Sequence, residues 1–204
     1  MRQAGSLERL RAFVRDIEQM VGLGGLRLAE RAADRMRGLV AQDDWLPDEM
    51  AVPDKKFYQQ HLLYADPQDR FSLVSFVWGP GQATPIHNHT VWGVIGMLRG
   101  GEYGQRFSID GGALVPLGPD ELLSPGAVEI VSPTHGDIHR VRNAHDDRVS
   151  VSIHLYGGNI GRISRSVFDP ATGAPKDFVS GYSRRLEGLF PQLQAACGQK
   201  EQNG

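Results

Sequence analysis

The chain has 204 residues, with 22 Lys and Arg against 24 Asp and Glu, a formal net charge of −2 at pH 7. That near balance, with no basic stripe, gives no electrostatic reason to expect nucleic acid or an anionic membrane, and leaves a small molecule as the expected partner. The single cysteine, Cys197, excludes an internal disulfide and argues against a thiolate metal site, so any metal has to be held by nitrogen and oxygen.

From Ser6 to Val21 the apolar residues Leu7, Leu10, Phe13, Val14, Ile17 and Val21 fall at helical spacing, with charged residues between them. A glycine-rich break at Gly22 to Gly25 follows, and Leu26 to Gln42 repeats the pattern until Pro47 and Pro53 punctuate its exit. Beyond it the texture changes to short β-rich segments: Phe71 to Trp78, Val91 to Leu98, Gly101 to Ile109, Ala127 to Val131, Ile138 to Val141 and Val149 to Tyr156. Such spacing predicts a sandwich or barrel. The last of these alternates cleanly, with Val149, Val151, Ile153 and Leu155 on the face expected to meet the core and Ser150, Ser152, His154 and Tyr156 on the other. A turn at Asp169 to Gly173 predicts a late hairpin between Val167-Phe168 and Phe178-Val179, and Gly198 to Gly204 reads as a frayed end. No apolar run approaches the roughly 18 residues of a spanning helix, and the N-terminus lacks a signal-peptide pattern, so a cytoplasmic protein is expected.

The chemistry concentrates in two stretches. His87 and His89 lie one residue apart in an expected strand, which sends both imidazoles from the same face, and Gly136-Asp-Ile-His139 offers a third. A histidine pair on a strand is compatible with a solvated surface as well as with a metal. His61, His135 and His145 have no partner at ligand spacing, although His135, four residues before His139, is an alternative to it.

The spacing Gly81-x5-His87-x-His89-x3-Gly93-x6-Gly100, followed by Gly136-x2-His139-x3-Asn143, resembles the two motifs of the cupin superfamily. Cupins usually carry a glutamate ligand where this chain has Gly93; its loss leaves a three-histidine set and resembles the cysteine dioxygenase and 3-mercaptopropionate dioxygenase family, particularly its bacterial branch. Tyr58-x-Gln60, Phe71 to Gly79, His139-Arg-Val-Arg-Asn143 and Ser152-Ile-His154-Leu-Tyr156 extend the similarity from roughly Tyr58 to Tyr182.

The resemblance implies an all-β core, a cupin-type β-barrel or jelly roll with an N-terminal α-helical extension. Residues 1–50 would be a helical segment packed on the barrel, 51–190 the cupin domain and 191–204 a tail. It implies Fe(2+) held by His87, His89 and His139, and addition of both atoms of O2 to a small thiol to give a sulfinate. Tyr156 would place its hydroxyl over the iron, His154 would orient that phenol, and Ser152 would fix the imidazole's tautomer. Mammalian-type relatives bind the substrate carboxylate through an arginine where this chain has Gln60, and carry a cysteine near Gly93 or Val94 crosslinked to the tyrosine matching Tyr156; this chain has neither. The bacterial 3-mercaptopropionate enzymes share the glutamine and bring an arginine from after the tyrosine, here Arg165, with Arg162 the weaker candidate. The expected substrate is therefore 3-mercaptopropionate, with L-cysteine the alternative. A non-catalytic cupin sensor and a zinc or manganese isomerase are readings of other classes. Trp92 is expected either at the pocket mouth or in the core.

Overall fold

The computed structural model describes residues 5–134 and 136–190. His135, Cys197 and the expected tail 191–204 lie outside the described residues. Two helices open the chain, α1 over Gly5–Met20 and α2 over Gly25–Val40, joined by a 3₁₀ turn at Val21–Leu23. Gly24 and Gly25 make the turn with φ of 64° and 49°, a region open to glycine at little cost.

The strands follow as β1 (Gln59–Ala65), β2 (Ser72–Trp78), β3 (Ile86–His87), β4 (Gly93–Arg99), β5 (Glu102–Asp110), β6 (Ala113–Pro116), β7 (Glu121–Leu123), β8 (Val128–Val131), β9 (His139–Asn143), β10 (Ser150–Tyr156), β11 (Arg165–Phe168), β12 (Pro175–Phe178) and β13 (Arg184–Arg185). One sheet has the order β13-β1-β2-β10-β4-β8 and the other β12-β11-β3-β9-β5-β6, with β7 also paired to β5. The two sheets meet face to face, touching where Ser152 of β10 donates a hydrogen bond to Glu102 of β5. The expected jelly roll with a helical extension is thus realised as two apposed sheets rather than one continuously hydrogen-bonded barrel. β1 carries no period-2 pattern, because it is buried on both faces with Gln60 and His61 inside it, and the alternation that marks the other strands does not reveal it.

The faces of β10 are assigned as the alternation predicts, and the structure adds where the apolar face finds its core. Val151, Ile153 and Leu155 meet an apolar cluster that lies outside the sheet, formed with Leu10, Val14 and Ile17 of α1 and Ala33, Met36 and Leu39 of α2. The polar face of β10 points between the sheets and is fully buried. α2 seats closely on this outer surface: a Cβ at Gly96 of β4 would come within 2.6 Å of Met36 and 2.9 Å of Val40. The helices therefore supply the hydrophobic burial that anchors the first sheet, which frees the space between the sheets to hold polar groups. Trp92 packs with the outer apolar cluster, so it fills the core rather than the pocket. No helix among the described residues is long and apolar enough to cross a membrane.

Candidate metal centre

β3 is only two residues long and ends at His87, so His89 does not reach the site as the next same-face residue of a strand. His87 and His139 are instead directly opposed across the β3–β9 pair, which places two imidazoles side by side on the inner face of one sheet. His89 joins them from the following turn. Asp137 holds that turn by accepting hydrogen bonds from the backbone N–H of His89 at 2.9 Å and of Thr90 at 2.8 Å. Thr90 is there at φ 61°, a costly conformation for a β-branched residue, which persists where surrounding bonds over-determine it.

The three rings stand 4.8 to 4.9 Å apart between centroids, and one potential donor atom from each lies within 4.8 Å of the others. For His87 and His89 orientation follows from the far side of the ring. The Nδ1–H of His87 donates to the carbonyl of Pro85 at 3.0 Å, and that of His89 donates to the carboxylate of Asp137 at 2.9 Å. Both leave Nε2 as a lone pair, the usual arrangement for metal-ligating histidines. Burial and the neighbouring imidazole of His89 hold His87 down to about 3, and burial with the same crowding holds His139 well below its ordinary range. Convergent imidazole nitrogens of this kind fit a divalent metal ion. Among the described residues these three are the cluster able to hold one.

Their centre opens into a cavity of about 280 Å³. Facing the histidines from the other sheet, β10 presents Ser152, His154 and Tyr156 in a hydrogen-bonded row: Ser152 Oγ lies 2.8 Å from His154 Nε2, and His154 Nδ1 lies 2.9 Å from Tyr156 Oη. The Tyr156 ring stacks on His89 with centroids 5.3 Å apart. Burial raises the phenol pKa, so the hydroxyl keeps its proton.

Arg165 and Gln60 also line the cavity and converge on one hydroxyl. Arg165 donates to Ser180 Oγ at 2.6 Å, and the Gln60 amide donates to the same oxygen at 3.1 Å. Arg165 is 4% exposed, its guanidinium lies 4.6 Å above the Phe178 ring, and its Nε has no hydrogen-bond partner. Among the described residues no carboxylate pairs with it. Arg162 lies elsewhere, paired on the surface with Asp69 at 3.1 Å. His61 and His145 are occupied away from the centre, by the carbonyl of Val52 and by Arg148 respectively.

Three participants escaped the sequence reading. Asp137 sits two residues before His139, where an acidic residue beside a ligand motif is a readable signal. Ser180 and Glu102 carry none, because each acquires its role only through a partner far along the chain. Asn143, part of the motif, is a structural staple, its amide donating to the carbonyls of Gly79 and Arg148 at 2.9 Å.

Among solved structures, the chain resembles a conserved protein with a double-stranded β-helix domain from Klebsiella pneumoniae, at 18% identity over 56% of this chain and 89% of that one, TM-score 0.45. It also resembles a cupin superfamily protein from Desulfitobacterium hafniense, at 14% identity over 58% and 94%, TM-score 0.43. A third is a DMSP lyase from Ruegeria pomeroyi, at 17% identity over 62% and 60%, TM-score 0.43. Residues 40–166, well over half the chain and including all three histidines, match the family Cysteine dioxygenase type I. With that match and a buried three-histidine centre in a cupin fold, the chain belongs to the cysteine dioxygenase type I family, whose members are non-haem iron dioxygenases.

Proposed function

We propose that this protein is an iron-dependent thiol dioxygenase that converts a small thiol carboxylate, RSH, and O2 into the sulfinic acid RSO2H. The preferred substrate in this reading is 3-mercaptopropionate rather than L-cysteine. The observation that carries it is the presence, in one small cavity, of three convergent imidazoles and a buried guanidinium with no ion-pair partner among the described residues.

Each end of a thiol carboxylate finds its complement. Fe(2+) held by His87, His89 and His139 would supply the positive charge that lowers a thiol's pKa and the redox chemistry that O2 requires. Arg165 would take the carboxylate, because a desolvated cation gains most from an anion delivered into the same pocket. Burial lowers the pKa of Arg165, the mark of a charge lacking compensation. Gln60, neutral and turned toward Ser180, would hold the seat of that carboxylate without adding charge. Tyr58, stacked on Trp78 with centroids 5.0 Å apart, walls the pocket. Tyr156 would face the reacting sulfur with a protonated hydroxyl, oriented by His154.

The lining favours a substrate without an amine. Among the described residues Asp177 is its one acidic side chain; it is exposed and accepts a hydrogen bond from Ser166. An ammonium group deeper in the cavity would meet imidazoles, a guanidinium and aromatic rings instead of a carboxylate. Anaerobic iron reconstitution followed by O2 consumption with each thiol tests the proposal. Stoichiometric sulfinate from 3-mercaptopropionate, with lower kcat/KM for cysteine, is the expected result. No thiol-dependent O2 uptake would refute the activity, and a higher kcat/KM for cysteine the substrate.

A further inference from the structure

The row Ser152–His154–Tyr156 does not end at Ser152. Ser152 Oγ lies 2.9 Å from Glu102 Oε2, and the indole N–H of Trp78 donates to the same Oγ at 3.1 Å. Glu102 is 3% exposed, on the opposite sheet from its partner. We propose that Glu102 is the proton store at the buried end of this chain, a positioning residue whose charge decides whether Tyr156 turns a hydrogen or a lone pair toward the cavity.

The argument is a count of hydrogens. Burial holds His154 well below its ordinary pKa, so the ring is neutral and carries one N–H. Ser152 has one hydrogen to give and two lone pairs, one of them taken by Trp78. With Glu102 ionised, Ser152 donates to it, His154 Nε2–H donates to Ser152, and Tyr156 donates to Nδ1, leaving only phenol lone pairs for the cavity. With Glu102 protonated, every link reverses. The carboxyl donates to Ser152, Ser152 donates to Nε2, Nδ1–H donates to Tyr156, and the phenol hydrogen is free to point at a ligand.

The two states differ by one proton, and the chain can carry it. A proton arriving at Tyr156 Oη displaces the phenol's own to Nδ1, the Nε2 proton passes to Ser152, and the serine's proton passes to Glu102. Three O–H or N–H bonds break, four form, and the gained proton resides on the carboxyl. On the dioxygenase reading above, the thiol that ionises in the cavity is the donor, and its bound anion is then met by a phenol able to donate to it.

The surroundings of Glu102 suit it to this task. Burial raises its pKa most, and Glu129 on β8 adds like-charge repulsion that Arg106, paired to Glu129 at 2.9 Å, moderates; hydrogen bonds from Ser152 and Trp78 oppose the rise, with a net value of about 7. The strands beside it contribute neutral groups, Asn143 of β9 and Leu123 of β7. From β10 it is approached by Ser152 and, one link further, neutral His154.

Nitrogen NMR of the full chain, with labelled histidine and a diamagnetic divalent ion in the three-histidine site, reads the tautomer of His154 directly; the resonance is assigned by its loss in His154→Gln. The expected result is a crossover from Nδ1–H at acidic pH to Nε2–H at alkaline pH, with its midpoint near 7, and a single tautomer throughout in Glu102→Gln. Ser152→Ala, which leaves Glu102 in place but cuts the link, should abolish the crossover too, and serves if the glutamine variant does not fold. An unchanging tautomer in the parent protein, or a crossover that survives either substitution, overturns the inference. Because this readout needs no turnover, a protein that shows the crossover yet consumes no O2 with thiols refutes the dioxygenase reading alone.

Discussion

Tyr156 lies directly across from Gly93 in the pairing of β10 with β4, and its ring covers the glycine so closely that a Cβ at Gly93 would sit 3.0 Å from two ring carbons. The position where other cupins carry a fourth, carboxylate ligand is here the floor on which the phenol rests. Gly93→Ala should therefore displace the ring and cost about 1–3 kcal/mol, as overpacking of a close-fitted interior does. Thermal unfolding together with kcat checks this: kcat should fall while iron content stays, and an unchanged kcat would show that the ring position is not critical.

Arg165, a buried cation lining the cavity, has no carboxylate partner among the described residues, so Arg165→Ala should act on substrate binding. Losing a charged hydrogen bond of about 1.5–3 kcal/mol corresponds to a KM increase for a thiol carboxylate of roughly 10- to 100-fold. A thiol lacking the carboxylate should be almost indifferent to the change. Adding Gln60→Arg to Arg165→Ala should recover part of the loss, since both side chains converge on Ser180. Steady-state kinetics with the matched pair of thiols decides it.

Asp137 holds His89 by its ring and by its backbone, so Asp137→Ala should loosen one ligand of three. Removing such an outer partner commonly costs 10- to 100-fold in metal affinity. Competition with a chelator measures this. Removing the metal should also lower the unfolding temperature of the parent protein, because an ion bound only by the folded state stabilises it.

Glu102 predicts an unusual pH dependence of stability. Its carboxyl is raised from 4.5 to about 7, so the folded state holds a proton that the unfolded chain has released. The contribution is fully present below about 4.5 and is lost as pH rises toward and through about 7. Its full size is on the order of 3 kcal/mol. His154 acts in the opposite sense: held neutral by burial, it binds fewer protons folded than unfolded below 6.5, so stability falls as pH drops beneath that value. Glu102→Gln keeps the second effect and removes the first. The variant should gain on the parent as pH is raised past neutrality, and denaturant unfolding at several pH values would reveal a constant difference if the carboxyl were not raised.

The readable part of the site was the part written locally. His87, His89 and His139 stand in short motifs, and Ser152, His154 and Tyr156 recur at the period of a strand; it is the resemblance of these motifs to a known family that implied they meet in one site. Asp137 adjoins such a motif and was within reach of the same reasoning. Glu102 and Ser180 were not. Each is an ordinary polar residue until a segment some fifty or more positions away in the chain meets it, Ser152 for the first and Gln60 for the second. Alternation marked the apolar face of β10 as the one that meets the core, and it does; that this core lies between the sheet and the two helices depends on what packs outside.

The order of residues by itself determined the helices, most strands, the three imidazoles and the absence of a carboxylate at position 93, because periodicity, turn chemistry and ligand type are local properties. Only the tertiary structure decided which sheet face α1 and α2 cover, that the space between the sheets holds polar groups beside apolar ones, and that Arg165 and Glu102 are buried there. Burial is a property of the whole fold, and burial is what turns an ordinary arginine into an anion site and an ordinary glutamate into a proton store.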